Sequence, residues 1–596
     1  MILQALAGYY DRLSAGSGIA QEGFQSKDIP FVIVLDDGGN FIDLWDTREG
    51  EGKKKKARAF IVPRESKRSG TNAWKIANLL WDNPGYVLGV PFGDDKALKQ
   101  HQSFMDLLHS TFPQPTDVGI TSVIAYLSRM NFSKISTHPL WDEMVEAKGN
   151  LSFKLVKDTC LVCERPTVIT LLTLNATLEE GDGILQTCMI TGEQDVPACL
   201  HASIKGVYNT NSTGANIVSF NLSAFESYGK TQGFNAPIGR KSEFRYTTAL
   251  NALLKNPLRR FQVGDASTVF WAEKDNKLEE VFLELFAEPA KDKASKDSSS
   301  LASDQDHRDL LALIRSPQSA ASPELDPNTR FYVLGLAPNA ARIAVRFWYA
   351  AKVGEVADNI ALHFDDTAII HSSIFRKTLS IKELLKATAP STSKHPYGDP
   401  EKILPNMAGD LMKAVLAGTP YPHTLLALAV GRCRAEQSKK DSRTGKQMEN
   451  VPYARVAIIK AVLVRQSRFF NTQEKEIGMS LDTSNTNIGY RLGRLFAVLE
   501  KVQEEASPGL NATIRDRFYG SASGTPEVAF SHLMKLKNHH LAKIENKGRA
   551  INLERLIGEI VDGINDFPSH LDLHDQGRFA VGYYHQRQNF FTKNEQ

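Results

Sequence analysis

Few residue patterns in this chain could run a reaction. Gly229-Lys230-Thr231 supplies the end of a phosphate-cradling loop, but that cradle needs a glycine five residues before Gly229, and position 224 is alanine. Gly16-Ser17-Gly18 lacks the third glycine of a dinucleotide turn and follows no strand. No His-Glu-x-x-His and no Gly-x-Ser-x-Gly occurs. His574-Asp575 is a lone pair, and a metal hydrolase needs several more ligands. The strongest metal candidate is Cys160-x-x-Cys163 with Cys188 and Cys199. Zinc wants four soft ligands at tetrahedral corners, and the first pair has knuckle spacing. Cys188 and Cys199 are too far apart in sequence to form a second knuckle, so the set reads either as structural zinc or as ordinary core thiols.

Charge and amide groups offer more. Lys53, Lys54, Lys55 and Lys56 form a run, and Arg58, Arg64, Lys67 and Arg68 follow closely. Within 53–68 these eight cations face one acid, Glu65. Such a run is either a solvated loop or a set of phosphate contacts, which add affinity through counterion release and carry no sequence information. Gly70-Thr71-Asn72 comes directly behind it; glycine permits close backbone approach, and asparagine both donates and accepts at a base edge. A second polar stretch reads Asn209-Thr210-Asn211-Ser212-Thr213-Gly214, followed by Ser227–Gly233 and Asn235-Ala236-Pro237. These residues either cap strands or line a nucleic-acid groove.

The elements that must hold these groups come next. The chain has 596 residues, 42% hydrophobic and 23% charged, which excludes whole-chain disorder, collagen and a coiled-coil rod. No run of 18 apolar residues exists, so no membrane span is expected. The opening MILQALAGYYDRL reads as an amphipathic helix and not a secretory signal. Five cysteines fit a reducing, cytoplasmic setting. Lys and Arg total 71 against 68 Asp and Glu, so a basic footprint must come from placement.

The pattern predicts an α+β fold: a mixed N-terminal region with short antiparallel sheets, then an all-helical C-terminal bundle. Residues 1–150 read as an α+β region. Its expected strands are 31–35, 41–45 and 57–62, with the lysine run as the mobile tip of a hairpin. A helix is expected from 71 or 72 to Trp81. Residues 151–365 read as mainly β, with strands at 167–172, 217–221, 331–336 and 343–348. A helix is expected at 242–255 and another near Asn339, and a mobile insertion covers about 290–325, where Leu310 to Ile314 could form one helical turn. Residues 366–478 read as a basic helical segment with 18 Lys/Arg and 10 Asp/Glu. Residues 479–596 hold 14 of each. There Ile488, Leu492, Leu495, Leu499 and Val502 form one apolar stripe, and Leu553, Leu556, Ile557, Ile560, Val561 and Ile564 form another. Thr525-Pro526 marks a helix start, with Thr as cap.

Several motifs in this order resemble the large subunit of the type I-C CRISPR Cascade. They are Cys188–Glu193, His201–Gly206, Val218–Asn221, Ala224–Gly229, Asn235–Pro237, Tyr246–Asn251 and Leu334–Arg342. Leu3, Tyr9-Tyr10, Gly418–Pro422, Leu492–Ala497 and Gly582–Tyr584 fit as well. The resemblance covers nearly the whole chain; the Cys160/Cys163 pair and the 290–325 insertion are not part of it.

The resemblance implies a subunit without a catalytic site or cofactor. It would sit in an RNA-guided surveillance complex beside guide RNA, backbone subunits and small subunits. It would read the protospacer-adjacent motif in double-stranded DNA, help unwind the duplex, hold the displaced strand and help recruit a helicase-nuclease. It also implies that the C-terminal part is made separately as a small subunit, with Met479 the candidate start and Met448 the runner-up. Base pairing to guide RNA carries most specificity in such a complex, so the protein needs to read only a few base pairs. Asn72 with Thr71, and Asn209, Asn211 and Ser212, are the expected motif readers. Arg432, Arg434, Arg455, Lys460, Arg465 and Arg468 are expected either in a displaced-strand groove or as solubilising charges on helices. The competing readings are a metal-dependent nuclease built on Cys160, Cys163, Cys188 and histidines, and a scaffold that binds only the guide-RNA ribonucleoprotein.

Overall fold

The computed structural model describes residues 1–14, 19–50, 55–66, 68, 72–179, 184–211, 213–286, 326–340, 342–372, 378–392, 394–436, 439–440, 447–448, 450–472, 477–510 and 512–591. The 290–325 insertion, including 310–314, therefore lies outside the described residues. The fold is α+β, with short sheets in the N-terminal half and a helical C-terminal region. The chain forms two compact units, Met1–Ser203 with Val218–Ala252, and Ile204–Ile217 with Leu253–Gln596. Among the described residues, no helix is long and apolar enough to cross a membrane.

In the first unit the expected opening helix runs Ile2–Ser14. Strands β1 (Phe24–Asp28), β2 (Phe31–Leu35), β3 (Phe41–Asp46), β4 (Ala59–Pro63), β5 (Trp81–Asp82) and β6 (Leu151–Leu155) follow. Four of them form a sheet in the order β3-β2-β6-β5. The continuous apolar run Phe31–Leu35 suits a strand covered on both faces, and β2 lies inside the sheet, antiparallel to β3 and parallel to β6. The β2–β3 turn needs Gly39: its φ is +72°, and a Cβ there would stand 2.5 Å from the Ser122 carbonyl oxygen.

Four expectations fail in this unit. Strand β4 does not hairpin with β3; it pairs antiparallel with β1. The expected 71–81 helix is a single 3-10 turn, Ala73–Lys75, because Trp81 and Asp82 are drawn into the sheet against β6. Residues 167–172 are not a strand but part of the helix Pro166–Glu179. Thr170 donates to the Pro166 carbonyl and the adjoining Thr173 to that of Ile169, both at 2.8 Å, while Thr167 donates to the Asp117 carboxylate. The residues 217–221 form no strand either; the neighbouring Asn216 makes only an isolated bridge to Arg342. Strands β7 (Gln186–Thr187) and β8 (Gln194–Asp195) form a small separate pair. The helix expected at 242–255 is present as Arg240–Lys255.

The second unit opens with a meander of β9 (Arg260–Val263), β10 (Ala266–Ala272), β11 (Arg330–Asn339) and β12 (Arg342–Lys352). The helix expected near Asn339 is instead the tight β11–β12 turn, whose Ala340 has φ +53°. The helix Leu278–Phe286 brings Phe282 and Phe286 against Phe261, Phe270 and Phe331 of the sheet. Helices then follow almost without interruption to Asn589. The helix Ile488–Ala506 buries Leu492, Leu495, Leu499 and Val502 of the predicted stripe and half-buries Ile488, and Leu553, Ile557 and Ile560 of Lys547–Val561 are buried likewise. Pro526 opens its helix as expected, but Thr525 makes no side-chain cap.

Helices 488–506 and 573–589 approach backbone to backbone. A Cβ at Gly493 would stand 2.8 Å from the Tyr583 nitrogen, one at Gly582 2.9 Å from the Tyr490 carbonyl carbon, and one at Gly489 3.0 Å from that of Asp575. Glycine at these three positions lets the helices close. Beside this seam, the Glu500 carboxylate is fully buried. It accepts from Tyr583 at 2.6 Å and Thr513 at 2.7 Å and faces Arg515 and Arg587.

Candidate nucleic-acid interface

The basic stretch lies in the first unit, partly on the connection from β3 to β4 and partly just after β4. Lys53, Lys54, Lys67 and Thr71 lie outside the described residues. Glu49 and Lys56 close the base of this connection with two backbone hydrogen bonds of 2.9 and 3.0 Å. Of the described cations on it, Lys55, Lys56 and Arg58 are exposed. Arg58 lies over the Phe60 ring, 5.3 Å from its centroid. Arg64 is also exposed, its guanidinium 3.4 Å from Glu243. Lys55 is partly neutralised by Glu143 at 3.3 Å and Asp46 at 3.9 Å.

Arg68 corrects the phosphate expectation. Its guanidinium lies against the buried Asp82 carboxylate, donates to the Ile76 carbonyl at 2.6 Å and covers the Tyr86 ring at 4.0 Å. Burial holds the Asp82 carboxyl above its ordinary range, partly opposed by the Arg68 hydrogen bond. This arginine organises the loop and has little charge left to offer a phosphate.

Asn72 is exposed and begins the 3-10 turn, yet its side chain caps nothing. Its backbone carbonyl accepts from Lys75 at 3.0 Å, and among the described residues its side chain makes no hydrogen bond. Its exposed amide carries both a donor and an acceptor. Beside it stands Lys75, exposed and 5.4 Å from the Trp74 ring centroid. The sequence reading passed over Lys75, and its place directly after the turn was the available signal.

The second unit holds the Asn209–Asn211 loop, closed at its base by the antiparallel Ile204–Ala215 bridge. Asn209 is exposed with φ +59°, a conformation asparagine tolerates. Asn211 is exposed, and its carbonyl accepts from Gly214 at 2.9 Å. Ser212 lies outside the described residues.

The expected displaced-strand groove needs a larger correction. Arg455, Lys460 and Arg465 are only 2%, 3% and 1% exposed. They belong to the helix Tyr453–Phe470, which packs against the helices 353–367, 381–388, 423–435 and 573–589. Arg455 bonds Glu436 and the Ala387 and Asn450 carbonyls. Lys460 donates to the Asp366 carbonyl at 2.9 Å. Arg465 donates to the Asp366 carboxylate at 2.7 Å and stacks on Tyr421. Buried charges persist only with partners of this kind, so these three cannot line a surface groove. Arg434 and Arg468 are exposed and Arg432 half-buried. Arg434 reaches Gln576 at 3.0 Å, and Arg468 pairs with Asp366 at 3.0 Å. The adjoining Phe469 and Phe470 are exposed.

The cysteines do not converge. Cys163 is buried with its thiol toward the Ile61 carbonyl, and burial pushes its pKa up. Burial also tends to raise the Cys188 thiol. Hydrogen bonding with the Ser242 hydroxyl and from the backbone of Gly239, Thr191 and Ile190 outweighs it and brings the pKa down to about 7. Cys160 is half-buried and Cys199 exposed. Among the described residues, no group of three or more His, Cys, Asp and Glu is placed to hold a metal ion. His574 binds Gln466 at 3.0 Å, while Asp575 accepts from Asn487 and Arg578, so the pair serves helix packing.

Comparison with known families places the chain. The family model described as CRISPR-associated protein (Cas_Csd1) matches residues 6–591, and the chain belongs to that family. It is a CRISPR-associated Cascade subunit, in agreement with the resemblance its motifs carry. No curated protein matches it.

Proposed function

We propose that this Cascade subunit is the large subunit of a type I-C complex and acts without a catalytic site of its own. It reads the protospacer-adjacent motif in duplex DNA, helps part the strands, holds the displaced one and offers a docking surface to the helicase-nuclease. The observation that carries the reading is the uncapped, exposed amide of Asn72, which follows the exposed cations Lys56, Arg58 and Arg64 in sequence. A recognition loop needs that division of labour: cations grip phosphates without regard to sequence, and an amide discriminates at a base edge. Asn209 and Asn211 present a second exposed amide pair.

The test uses the particle assembled with guide RNA and its backbone subunits, offered duplexes that match the guide and carry a randomised flank. Selection of one short flank supports recognition, and Asn72→Ala should relax it. Equal recovery of all flanks would remove the recognition role. Equal binding with and without this chain would leave only a scaffold.

The geometry also favours Met479 over Met448 as an internal start. A product from Met479 keeps helix 488–506 with the four helices that follow it. A product from Met448 would carry the helix 453–470 but separate Arg465 from Asp366 and Arg455 from the Ala387 carbonyl. That would leave buried guanidiniums without their carboxylate or carbonyl partners. Mutating each methionine codon and looking for the short product separates the two.

A further inference from the structure

Residues 221–232 are exposed throughout, and at their tip Tyr228 is 98% exposed. Ser227 and Lys230 form an antiparallel bridge, with the Lys230 N–H donating to the Ser227 carbonyl at 3.0 Å. The two residues between them, Tyr228 and Gly229, have φ of +52° and +69°. This is the pattern of a two-residue type I′ turn, which Asn, Asp and Gly enter readily and tyrosine does not.

The turn is held from below by one side chain. Asn235 accepts from the Ser227 N–H at 3.0 Å and donates to the Lys230 and Gln232 carbonyls, both at 3.0 Å. A bulky ring is therefore presented to solvent on a fixed support, in a backbone conformation poor for that residue. An outlier of this kind, with no packing to justify it, points to an external contact.

The surroundings indicate what the contact is. Lys230 is exposed at this tip, Glu226 is the one carboxylate within 221–232, and the remaining polar tip side chains are Ser227, Thr231 and Gln232. A flat aromatic face beside a lysine suits a polyanion made of flat rings. Base stacking on aromatics tolerates any sequence because every base has a π-face.

We propose that Tyr228 is a stacking platform for a nucleobase of the bound DNA, with Lys230 on an adjoining phosphate. The proposal rests on the functional reading above and names one of its contact residues.

The experiment uses the assembled particle and guide-matched duplex in which single thymines are replaced by 5-iododeoxyuridine. Cross-linked peptides are identified by mass spectrometry, and affinities are compared for Tyr228→Ala, Tyr228→Phe and Tyr228→Asn. Stacking predicts a cross-link at Tyr228, near-normal binding by Tyr228→Phe, and about tenfold weaker binding by both Tyr228→Ala and Tyr228→Asn. Asparagine fits the turn better than tyrosine. If Tyr228→Asn binds like the unsubstituted particle, only turn geometry matters and stacking is overturned. Unchanged binding by Tyr228→Ala overturns it as well, and the functional reading then survives. A particle with native Tyr228 that ignores the matched duplex defeats both.

Discussion

Replacing Gly493 with alanine sets two known effects against each other. In an exposed helix position, glycine to alanine gains about 1 kcal/mol from backbone entropy. At Gly493 the new Cβ would overlap the Phe579 carbonyl and stand 2.8 Å from the Tyr583 nitrogen, whereas ordinary contact begins near 3.4 Å. Both neighbours are backbone, so no side chain can swing aside. The helices 488–506 and 573–589 must part by more than half an ångström, and overpacking of this kind costs roughly 1–3 kcal/mol. Gly558 is the internal control: it lies in the helix 547–561 and its added Cβ meets nothing within 4 Å. Gly558→Ala should therefore stabilise by up to about 1 kcal/mol, and Gly493→Ala should fall below it by about 1–3 kcal/mol. The measurement is amide hydrogen exchange of helix 488–506 in the full chain, which reads the opening free energy of that seam and does not require the whole chain to unfold as one unit. Adding Gly582→Ala should cost less in the Gly493→Ala background than alone, because the helices are already apart. Equal stability of Gly493→Ala and Gly558→Ala would refute the close-approach argument.

The other expectations concern charge. Neutralising Lys53–Lys56 to glutamine should make the salt dependence of DNA binding shallower, by at most about 0.9 in log–log slope per lysine, without altering motif preference. Lys55 should contribute least, being already held by Glu143; a changed preference would contradict the phosphate assignment. Arg465→Ala should cost about 3–5 kcal/mol of stability by leaving Asp366 buried without its closest cation, whereas Arg432→Ala should cost less than about 0.5, as urea titration would show. His363 and His585 are buried, and burial lowers each pKa from 6.5 to about 3. Below pH 6.5 the unfolded chain takes up protons that the folded one refuses. Stability present above pH 6.5 is therefore lost as pH falls, by about 1.4 kcal/mol per pH unit for each histidine until pH 3. His363→Gln should remove one such increment from the slope of stability against pH.

Local pattern revealed an element wherever the apolar spacing allowed one reading. The 4-3-4-3 stripe from Ile488 to Val502 marks a one-faced helix, and the short apolar runs at 31–35, 331–336 and 343–348 mark strands. It failed where tertiary partners chose between two local options. Thr167–Leu172 has strand composition, yet Thr170 bonds back to a helical carbonyl and Thr167 ties to Asp117, so Pro166–Glu179 closes as a helix. Trp81 and Asp82 would continue a helix by spacing, but β6 offers them a ladder. The pairing of β4 with β1 involves residues 31 or more positions apart, and nothing in the intervening sequence marks it.

The same limit explains which parts of the candidate interface were legible. Turn chemistry is local, so the exposed amides of Asn72 and of Asn209 and Asn211 could be read from their immediate neighbours. Charge is not local. The segment 366–478 has 18 cations, but Arg455, Lys460 and Arg465 are interior and neutralise Asp366, Glu436 and buried carbonyls. A count of cations cannot separate those that solvate a surface from those that satisfy a core, because both recur on a helix. Helix 453–470 carries the distinguishing mark: apolar residues surround its cations on all sides, as in Val456-Ala457-Ile458-Ile459 before Lys460 and Ala461-Val462-Leu463-Val464 after it. A helix that is apolar all round is buried. Its charges must then be read as internal ties, and the search for a strand-holding surface moves to Arg434, Arg468 and the exposed Phe469-Phe470 pair at its end.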